Sequence, residues 1–444
     1  MLYIKNIDET IKTGLANFGK IPYGHSMEGY LLFDLKNEPN QYGCEKFNRN
    51  AELNPLVGDS PFILVKRGLC SPAQKVKNIE EAGGHAAIIV DDKDEPIDKM
   101  FLADDGNGND ISIPAVLISF SDGNKLINYY SQIKPDKNNR IRLEIFLPLE
   151  KSDNTVKYDI WFTPDQTKVY DFLNNFEKYQ NLLGENAILG MHYITYPFFS
   201  YNENNRQPID DCLGSGLYCI RPSSEINDGA LIALESIKQK CIYKYIYENK
   251  ENSDSKIIFW NYMKNLYTKC ISTKNYNQQC SDNIVTSVGL QLEQINQCIK
   301  YSFIGSEQEK QNQNYNKILK NKILDDEYTI RKQNYITRVP SLTINGRLYD
   351  GSWRAEYVFD ALCASLIKKP DACFKIGMQR GEGLSGPVVF IIIIIVLAIN
   401  IILFILCKNL IKKKIMDRLE SIDINSRIDD AVNTYFALKD KPTD

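Results

Sequence analysis

VKYDIWFTPDQTKVYDFLNNFEKYQNLLGENAILGMHYITYPF, residues 156–198, sets the architecture of the larger part of this chain. VKYDIWFT (156–163) is dense in β-branched and aromatic residues and reads as a strand. Pro164 opens a helix over 164–184, where Val169, Phe172, Leu173 and Phe176 recur at helical spacing. Residues 185–198 then give a second strand, so the unit begins β-α-β. Its far end is TRVPSLTINGRLYDGSWRAEYVFDALCASLI, residues 337–367. Here SLTI is a strand, Asn345–Gly346 a hairpin turn, GRLYDG the partner strand, and the remainder a helix with Ser352 as its cap. Between these ends lies a long Cys- and Asn-rich stretch, about residues 205–330. It reads mostly as helices: DGALIALESIKQKCIYKYIYE, KIIFWNYMKNLYTKC and CSDNIVTSVGLQLEQINQCIK.

Upstream, residues 1–150 form another α/β unit. PFILVKRG (61–68) is a strand closed by Gly68. SPAQKVKNIEEAGG (71–84) is a helix with Ser71 as N-cap, Pro72 at the first helical position and Gly83 as stop. HAAIIVDD (85–92) and ISIPAVLIS (111–119) are buried strands. SDGNKLINYY (121–130) is a helix capped by Ser121, and RIRLEIFLPL (140–149) alternates as a strand. Strands and helices in this order predict a mixed sheet.

Downstream, PVVFIIIIIVLAINIILFILC (387–407) carries no charge and a single amide, Asn400. About 20 apolar residues span a ~30 Å hydrocarbon layer as a helix. Lys408, Lys412, Lys413 and Lys414 follow it, whereas only Arg380 and Glu382 stand just before it, so the C-terminus is expected in the cytosol and the N-terminal part in the lumen. Residues 376–386 are then a juxtamembrane linker and 408–444 a cytosolic tail. Residues 1–20 hold no apolar core of a signal peptide; a signal sequence upstream of the given start is expected, because one late span does not readily carry the preceding chain across a membrane. The 444 residues suggest two or three domains, and 53 Lys+Arg against 56 Asp+Glu, net −3, argue against a nucleic-acid binder. With three histidines, His25, His85 and His192, a His-rich metal centre is not expected.

Ten of the 11 cysteines precede the apolar span: Cys44, Cys70, Cys212, Cys219, Cys241, Cys270, Cys280, Cys298, Cys363 and Cys373. An even number in a lumenal region predicts disulfides. Cys44 and Cys70 are the only two before residue 212 and are expected to pair with each other; the spacing leaves the other pairings open. Cys407, at the membrane edge, is a palmitoylation candidate or a plain apolar filler.

The order β-α-β, helical insertion, β-β-α is that of thioredoxin-like domains. In those, the strand before the hairpin follows a cis-proline, the place held here by Pro340. A cis bond is therefore predicted between Val339 and Pro340, an ordinary edge-strand proline being the other reading. LANFGKIPYG (15–24), FILVKRGLC (62–70), AGGHAAIIVDD (82–92) and ISIPAVLIS (111–119) resemble the protease-associated (PA) domain. FWNYMKNLYTKC (259–270), CSDNIVTSVGL (280–290) and VPSLTINGRLYDG (339–351) resemble the central lumenal region of plant-type vacuolar sorting receptors. The resemblance covers roughly residues 14–375. It implies a PA domain over 1–150 and a thioredoxin-like domain over 151–375, the latter with a helical insertion. The plant receptors carry EGF-like repeats before the membrane; only residues 374–386, without cysteine, fill that interval here, which leaves calcium dependence unsupported.

The resemblance places recognition of sorting signals at Arg67, Gly68, Leu69 and Cys70, with Asn17, Phe18 and Gly19 as the opposite wall. Arg67 offers a planar fork of donors and Gly68 allows close approach of a peptide backbone. DDKDEP (91–96) and ADDGNGND (103–110) are acidic loops that fit a basic cargo, weak calcium binding or plain solvation; the second lacks the terminal Glu of an EF-hand. Tyr435-Phe436-Ala437-Leu438 has the form of a Y-x-x-Φ sorting signal for a clathrin adaptor, Tyr435 and Leu438 filling its pockets; Ile424, Ile428, Ala431, Tyr435 and Leu438 equally form one helical stripe. No C-x-x-C, G-x-S-x-G or H-E-x-x-H occurs, so no catalysis is expected. The implied function is a type I membrane receptor of the Golgi and prevacuolar membranes that carries soluble hydrolases to vacuolar, lysosome-like or granule compartments. The alternative is a non-catalytic folding or redox-related factor of the secretory pathway.

Overall fold

A computed structural model describes residues 1–36, 38–47, 60–96, 100–134, 139–197, 212–248, 253–305, 320–374 and 386–439. They form two units, Met1–Ala372 and Cys373–Asp444.

The first unit opens on a mixed sheet. Its strands are β1 (Leu2–Ile4), β2 (Glu9–Ile11), β3 (Gly14–Ala16), β4 (Ser26–Leu32), β5 (Pro61–Lys66), β6 (Ala86–Val90), β7 (Phe101–Leu102), β8 (Ala115–Ile118) and β9 (Arg142–Phe146). Their order is β2-β1-β9-β4-β5-β6-β8-β3-β7. The middle strands β4, β5, β6 and β8 run parallel. β6 and β8 are buried along their whole length, which is why they read as unbroken apolar runs rather than alternating ones. Between strands lie α1 (Glu38–Tyr42), α2 (Pro72–Glu81) and α3 (Phe120–Ile133). Ser71 caps α2 by accepting from the Gln74 amide, with Pro72 opening the helix. α3 differs from the expectation: Ser119, not Ser121, is its cap and accepts from the Asp122 amide. Ser119 also donates to the Asp122 carboxylate at 2.8 Å, a local pairing that Ser121 does not make.

A second, four-stranded sheet has the order β11-β10-β16-β17. β10 (Val156–Phe162), α4 (Thr167–Leu183) and β11 (Ala187–Tyr193) make the parallel β-α-β; β16 (Ser341–Ile344) and β17 (Arg347–Leu348) make the hairpin. Asn345 and Gly346 both have positive φ, +48° and +79°, as a tight hairpin turn with right-handed twist requires. The Val339–Pro340 peptide bond is cis. The insertion contributes two short hairpins, β12 (Cys212–Leu213) with β13 (Tyr218–Cys219) and β14 (Phe303–Ile304) with β15 (Lys320–Asn321). It also contributes the helices α5 (Gly229–Tyr243), α6 (Ser253–Leu266), α7 (Gln278–Ser287), α8 (Leu292–Ser302) and α9 (Lys322–Gln333). The stretch 280–300 is two helices rather than one, because the chain turns at Gly289 with φ +85°. Disulfides join Cys212 to Cys219, Cys241 to Cys298 and Cys270 to Cys280, and Cys363 and Cys373 are also disulfide-bonded.

The last helix of this unit, α10 (Ala355–Ala364), starts three residues beyond the expected Ser352 cap, with Arg354 at the cap position and no side-chain cap bond. Ser352 is occupied elsewhere. Its amide reaches the Gly19 carbonyl, and its own carbonyl accepts from the Tyr349 hydroxyl. This belongs to a seam between the two sheets' regions. Tyr23 and Tyr349 face each other at 5.1 Å between ring centres, and the Asp350 amide donates to the Tyr23 oxygen at 2.8 Å.

The second unit contains the helix α11 (Gly386–Lys439). Among the described residues no helix is long and apolar enough to cross a membrane. The apolar stretch 387–407 lies partly outside the residues whose side chains are described, as does Leu438; the linker residues 376–385 lie wholly outside.

Candidate functional site

β5 ends at Lys66, and the next four residues make an arch. The Arg67 amide donates to the Val90 carbonyl at 2.8 Å, continuing the β5–β6 pairing by one residue. Gly68 then takes φ +102° and Leu69 φ +66°, and the Cys70 amide closes the turn on the Gly68 carbonyl at 2.9 Å. A positive φ is uncommon for leucine, and its side chain stands 82% exposed. Two ties hold the arch. Cys70 is bonded to Cys44, just past α1, with the Cα atoms 5.7 Å apart. Lys75, on α2 and fully buried, donates from Nζ to the Gly68 and Tyr42 carbonyls, both at 2.6 Å. Burial pulls the Lys75 amine down to about 8.

Arg67 is not a free fork. Its Nη1 meets the Asp91 Oδ1 at 2.8 Å, and the Asp91 side chain is wholly buried. Asp91 Oδ1 also accepts from the Asp92 amide, while Oδ2 has no partner among the described residues. Burial pushes the Asp91 carboxyl above the usual range, and Arg67 only partly offsets it. The guanidinium is thus steered by a buried anchor and keeps its remaining N–H groups at the half-open surface.

The Asn17–Gly19 segment does not form an open wall. Phe18 is 1% exposed and packs into the core with Val65, Ile89 and Leu117. Gly19 lies against the backbone, where a Cβ would fall 2.3 Å from the Ile113 carbonyl oxygen. Asn17 instead accepts the Asp104 amide at 2.7 Å, so it holds the acidic loop. That loop turns on itself: Asp104 accepts the Gly106 and Gly108 amides, and Asp105 accepts the Asn107 amide. The Ser71 hydroxyl, beside Cys70, is the main reason that Asp105 ionises below its usual range. Loop 103–110 therefore reaches both segments, and its Asp104 and Asp105 carboxylates accept from its own backbone. Among the described residues no group of three or more His, Cys, Asp or Glu side chains is placed to hold a metal ion.

A second cluster was not read from the sequence. His192 on β11 lies between two carboxylates, with Nδ1 2.9 Å from Glu327 and Nε2 3.3 Å from Asp159. Its ring stacks on Trp161 at 4.0 Å. Lys240 of α5 adds a contact to Glu327 at 2.8 Å, and Lys157 one to Asp159 at 3.2 Å. Burial lowers the His192 pKa, but the hydrogen bonds to Asp159 and Glu327 outweigh it and leave the imidazole above its ordinary value. Burial raises both carboxyls; the same hydrogen bonds to His192 prevail and leave them below theirs. The signal in the sequence was a polar residue inside each apolar strand, Asp159 in VKYDIWF and His192 in AILGMHY. Of the other histidines, His25 and His85 are exposed.

Residues 31–126 match a family model described as the PA domain, and residues 156–363 one described as the vacuolar sorting receptor thioredoxin-like domain. Vacuolar-sorting receptor 1 of Pisum sativum is 26% identical over 395 residues, covering 84% of this chain and 60% of the relative. Vacuolar-sorting receptor 6 of Arabidopsis thaliana is 25% identical over 396 residues, covering 84% of this chain and 59% of the relative. The chain thus spans about three-fifths of the length of these relatives. Among solved structures, oxidised Mtb DsbA aligns with 51% of this chain and 97% of its own at 10% identity and a TM-score of 0.29, too loose a likeness to carry weight. A PA domain followed by a vacuolar sorting receptor thioredoxin-like domain makes this chain similar to the plant vacuolar-sorting receptors along most of its length.

Proposed function

We propose that this chain is a type I membrane receptor that binds soluble proteins, hydrolases among them, in the Golgi lumen and delivers them to a vacuolar, lysosome-like or granule compartment. The observation that carries the reading is the pairing of the two domains with the built arch at Arg67–Cys70. An exposed Leu69, fixed by a disulfide on one side and a buried ammonium on the other, offers an apolar contact already paid for in conformational entropy. Arg67 and the Gly68 backbone supply polar partners for a peptide laid across it. In this reading residues 387–407 cross the membrane and the lysines after them stay in the cytosol. Tyr435 and Leu438 recruit a clathrin adaptor from the tail. The thioredoxin-like domain works as a binding scaffold: the start of α4, where a dithiol oxidoreductase needs cysteines, reads PDQTKVYD.

The test is affinity capture with the full chain, scored by the identity and yield of soluble hydrolases retained. Leu69→Asp is the informative variant, since its side chain supports nothing in the fold. A loss of at least tenfold in retained hydrolase, with an unchanged melting midpoint, is expected; equal retention would remove the arch from the site. Arg67→Ala is less clean, because it strips the buried Asp91 of its cation.

A further inference from the structure

The thioredoxin-like domain carries a cavity of its own, about 360 Å³, far along the chain from the Arg67 arch. Three tyrosines line it: Tyr196 just beyond β11, Tyr328 on α9, and Tyr335 after it. Ile336 closes its floor, buried against Trp161 and Ile194. Arg331 and Lys332, at the end of α9, also line it, and among the described residues no acidic side chain does.

The cations are the informative part. Arg331 is fixed on one side only. Its Nε donates to the Ile336 carbonyl at 3.0 Å, Nη1 reaches the Thr195 carbonyl at 3.5 Å, and its Cζ lies over the Tyr196 ring, 4.5 Å from the ring centre. Its Nη2 has no hydrogen-bond partner among the described residues, and neither Arg331 nor Lys332 has a carboxylate partner there. Lys332 lies over the Tyr328 ring at 4.6 Å. Arg338, seven residues beyond Arg331, shows the usual arrangement, paired with Asp350. Tyr335 is the other anomaly. It takes φ +53° and leaves its side chain 87% exposed, an unfavourable backbone holding an apolar ring at the rim. A guanidinium stacked on a ring with donors to spare is a preformed acceptor site for a carboxylate, and a cup of tyrosines suits an apolar side chain.

We propose that this cavity binds an internal segment of a partner protein in which an acidic side chain stands next to a bulky apolar one. The apolar side chain enters among Tyr196, Tyr328 and Tyr335, and the carboxylate meets Arg331 with Lys332 beside it. The volume lies in the range of about 300–1,000 Å³ typical of ligand pockets and holds one large side chain with its neighbour. This deepens the receptor reading and rests on it: the cargo is gripped by the thioredoxin-like domain as well as by the PA arch.

The experiment uses the full chain in detergent micelles. The probe is a fluorescein-labelled decapeptide, amidated at its C-terminus, with Glu-Phe at its centre, titrated by anisotropy. Two companion probes carry Gln-Phe and Glu-Ala, and a fourth is unamidated with Gln-Phe at its end. Binding of Glu-Phe at least tenfold tighter than Gln-Phe and Glu-Ala, weakening as salt rises, is expected. Arg331→Gln and Lys332→Gln should each weaken Glu-Phe by at least threefold. Lys332 makes no structural bond, so its variant stands even if Arg331→Gln unfolds. Equal binding of Glu-Phe and Gln-Phe overturns the proposal, as do unchanged affinities in both variants. Preference for the unamidated probe also overturns it, since the site would then read a chain terminus. Hydrolase capture by the same preparation separates the two readings. Capture without Glu-Phe binding defeats the cavity alone; Glu-Phe binding without capture defeats the receptor reading and leaves the cavity a peptide site.

Discussion

Lys75 and His192 are buried cations with opposite responses to pH. The folded Lys75 amine sits at about 8, below its ordinary range. Between there and about 10.4 the unfolded chain binds the extra proton, so stability rises with pH across that window and the gain is lost as pH falls through 8. The melting midpoint of the parent should therefore climb relative to Lys75→Met from pH 8 to pH 10; a constant gap would place the amine in water. His192 behaves the other way. Its raised folded value makes its contribution complete below about pH 6.5 and lost as pH climbs through the folded value. Asp159 and Glu327, both lowered, contribute above their ordinary values near 4 and lose this as pH drops through the folded ones. The network is thus strongest in mildly acidic solution. Replacing His192 by Asn, which leaves two buried carboxylates short of a cation, should cost about 3–5 kcal/mol at pH 5.5. Denaturant unfolding at pH 5.5 and 8.5 should show that gap shrinking at the higher pH.

Elements whose ends carry their own chemistry were legible in the sequence. Ser71-Pro72 announces α2 because a side-chain oxygen and a preset φ act locally. The start of α3 fell two residues earlier than read, because Ser119 rather than Ser121 pairs locally with Asp122, and the start of α10 moved because Ser352 is engaged far along the chain by Gly19 and nearby by Tyr349. Phe18 was misread for the same reason. Between Asn17 and Gly19 it reads as part of a loop, yet it is buried in one core cluster with Val65, Ile89 and Leu117 from distant strands. The helical insertion hid more. Glu235 of α5 is fully buried and takes four donors: Gln239 and Tyr262 on one oxygen, Tyr276 and Ser281 on the other, at 2.6 to 3.0 Å. Nothing in the spacing within α5 brings Tyr262 or Tyr276 to that carboxylate; Tyr262 comes from α6, and Tyr276 from the loop closed by Cys270–Cys280. Tyr262→Phe should cost about 1–3 kcal/mol, since a buried acceptor loses one donor. Urea unfolding measures it, and an unchanged midpoint would show Glu235 to be satisfied by the other three.

At the scale of the whole molecule, the two sheets of Met1–Ala372 behave as one body because aromatic and backbone groups lock across the seam. Tyr349 supplies a ring against Tyr23 and a hydroxyl to Ser352. Tyr349→Ala should cost about 3–5 kcal/mol, in the range of large aromatic truncations. Calorimetry should then resolve two transitions in place of one, and a single transition at the parent temperature would show the seam to be passive. In the receptor reading proposed above, the tail poses a different question of order. Tyr435 stands exposed within α11, in the last turns before Lys439. A coat protein that reads four residues stretched flat cannot use them while they are coiled. Uncoiling comes first, and only the unwound fraction of molecules is competent, so apparent affinity for the coat falls by that fraction. Terminal turns open most readily, and the tyrosine sits where this tariff is smallest. On that proposal, loading of the coat is adjustable by anything that tightens or frays the final turn, without any change to the four residues themselves.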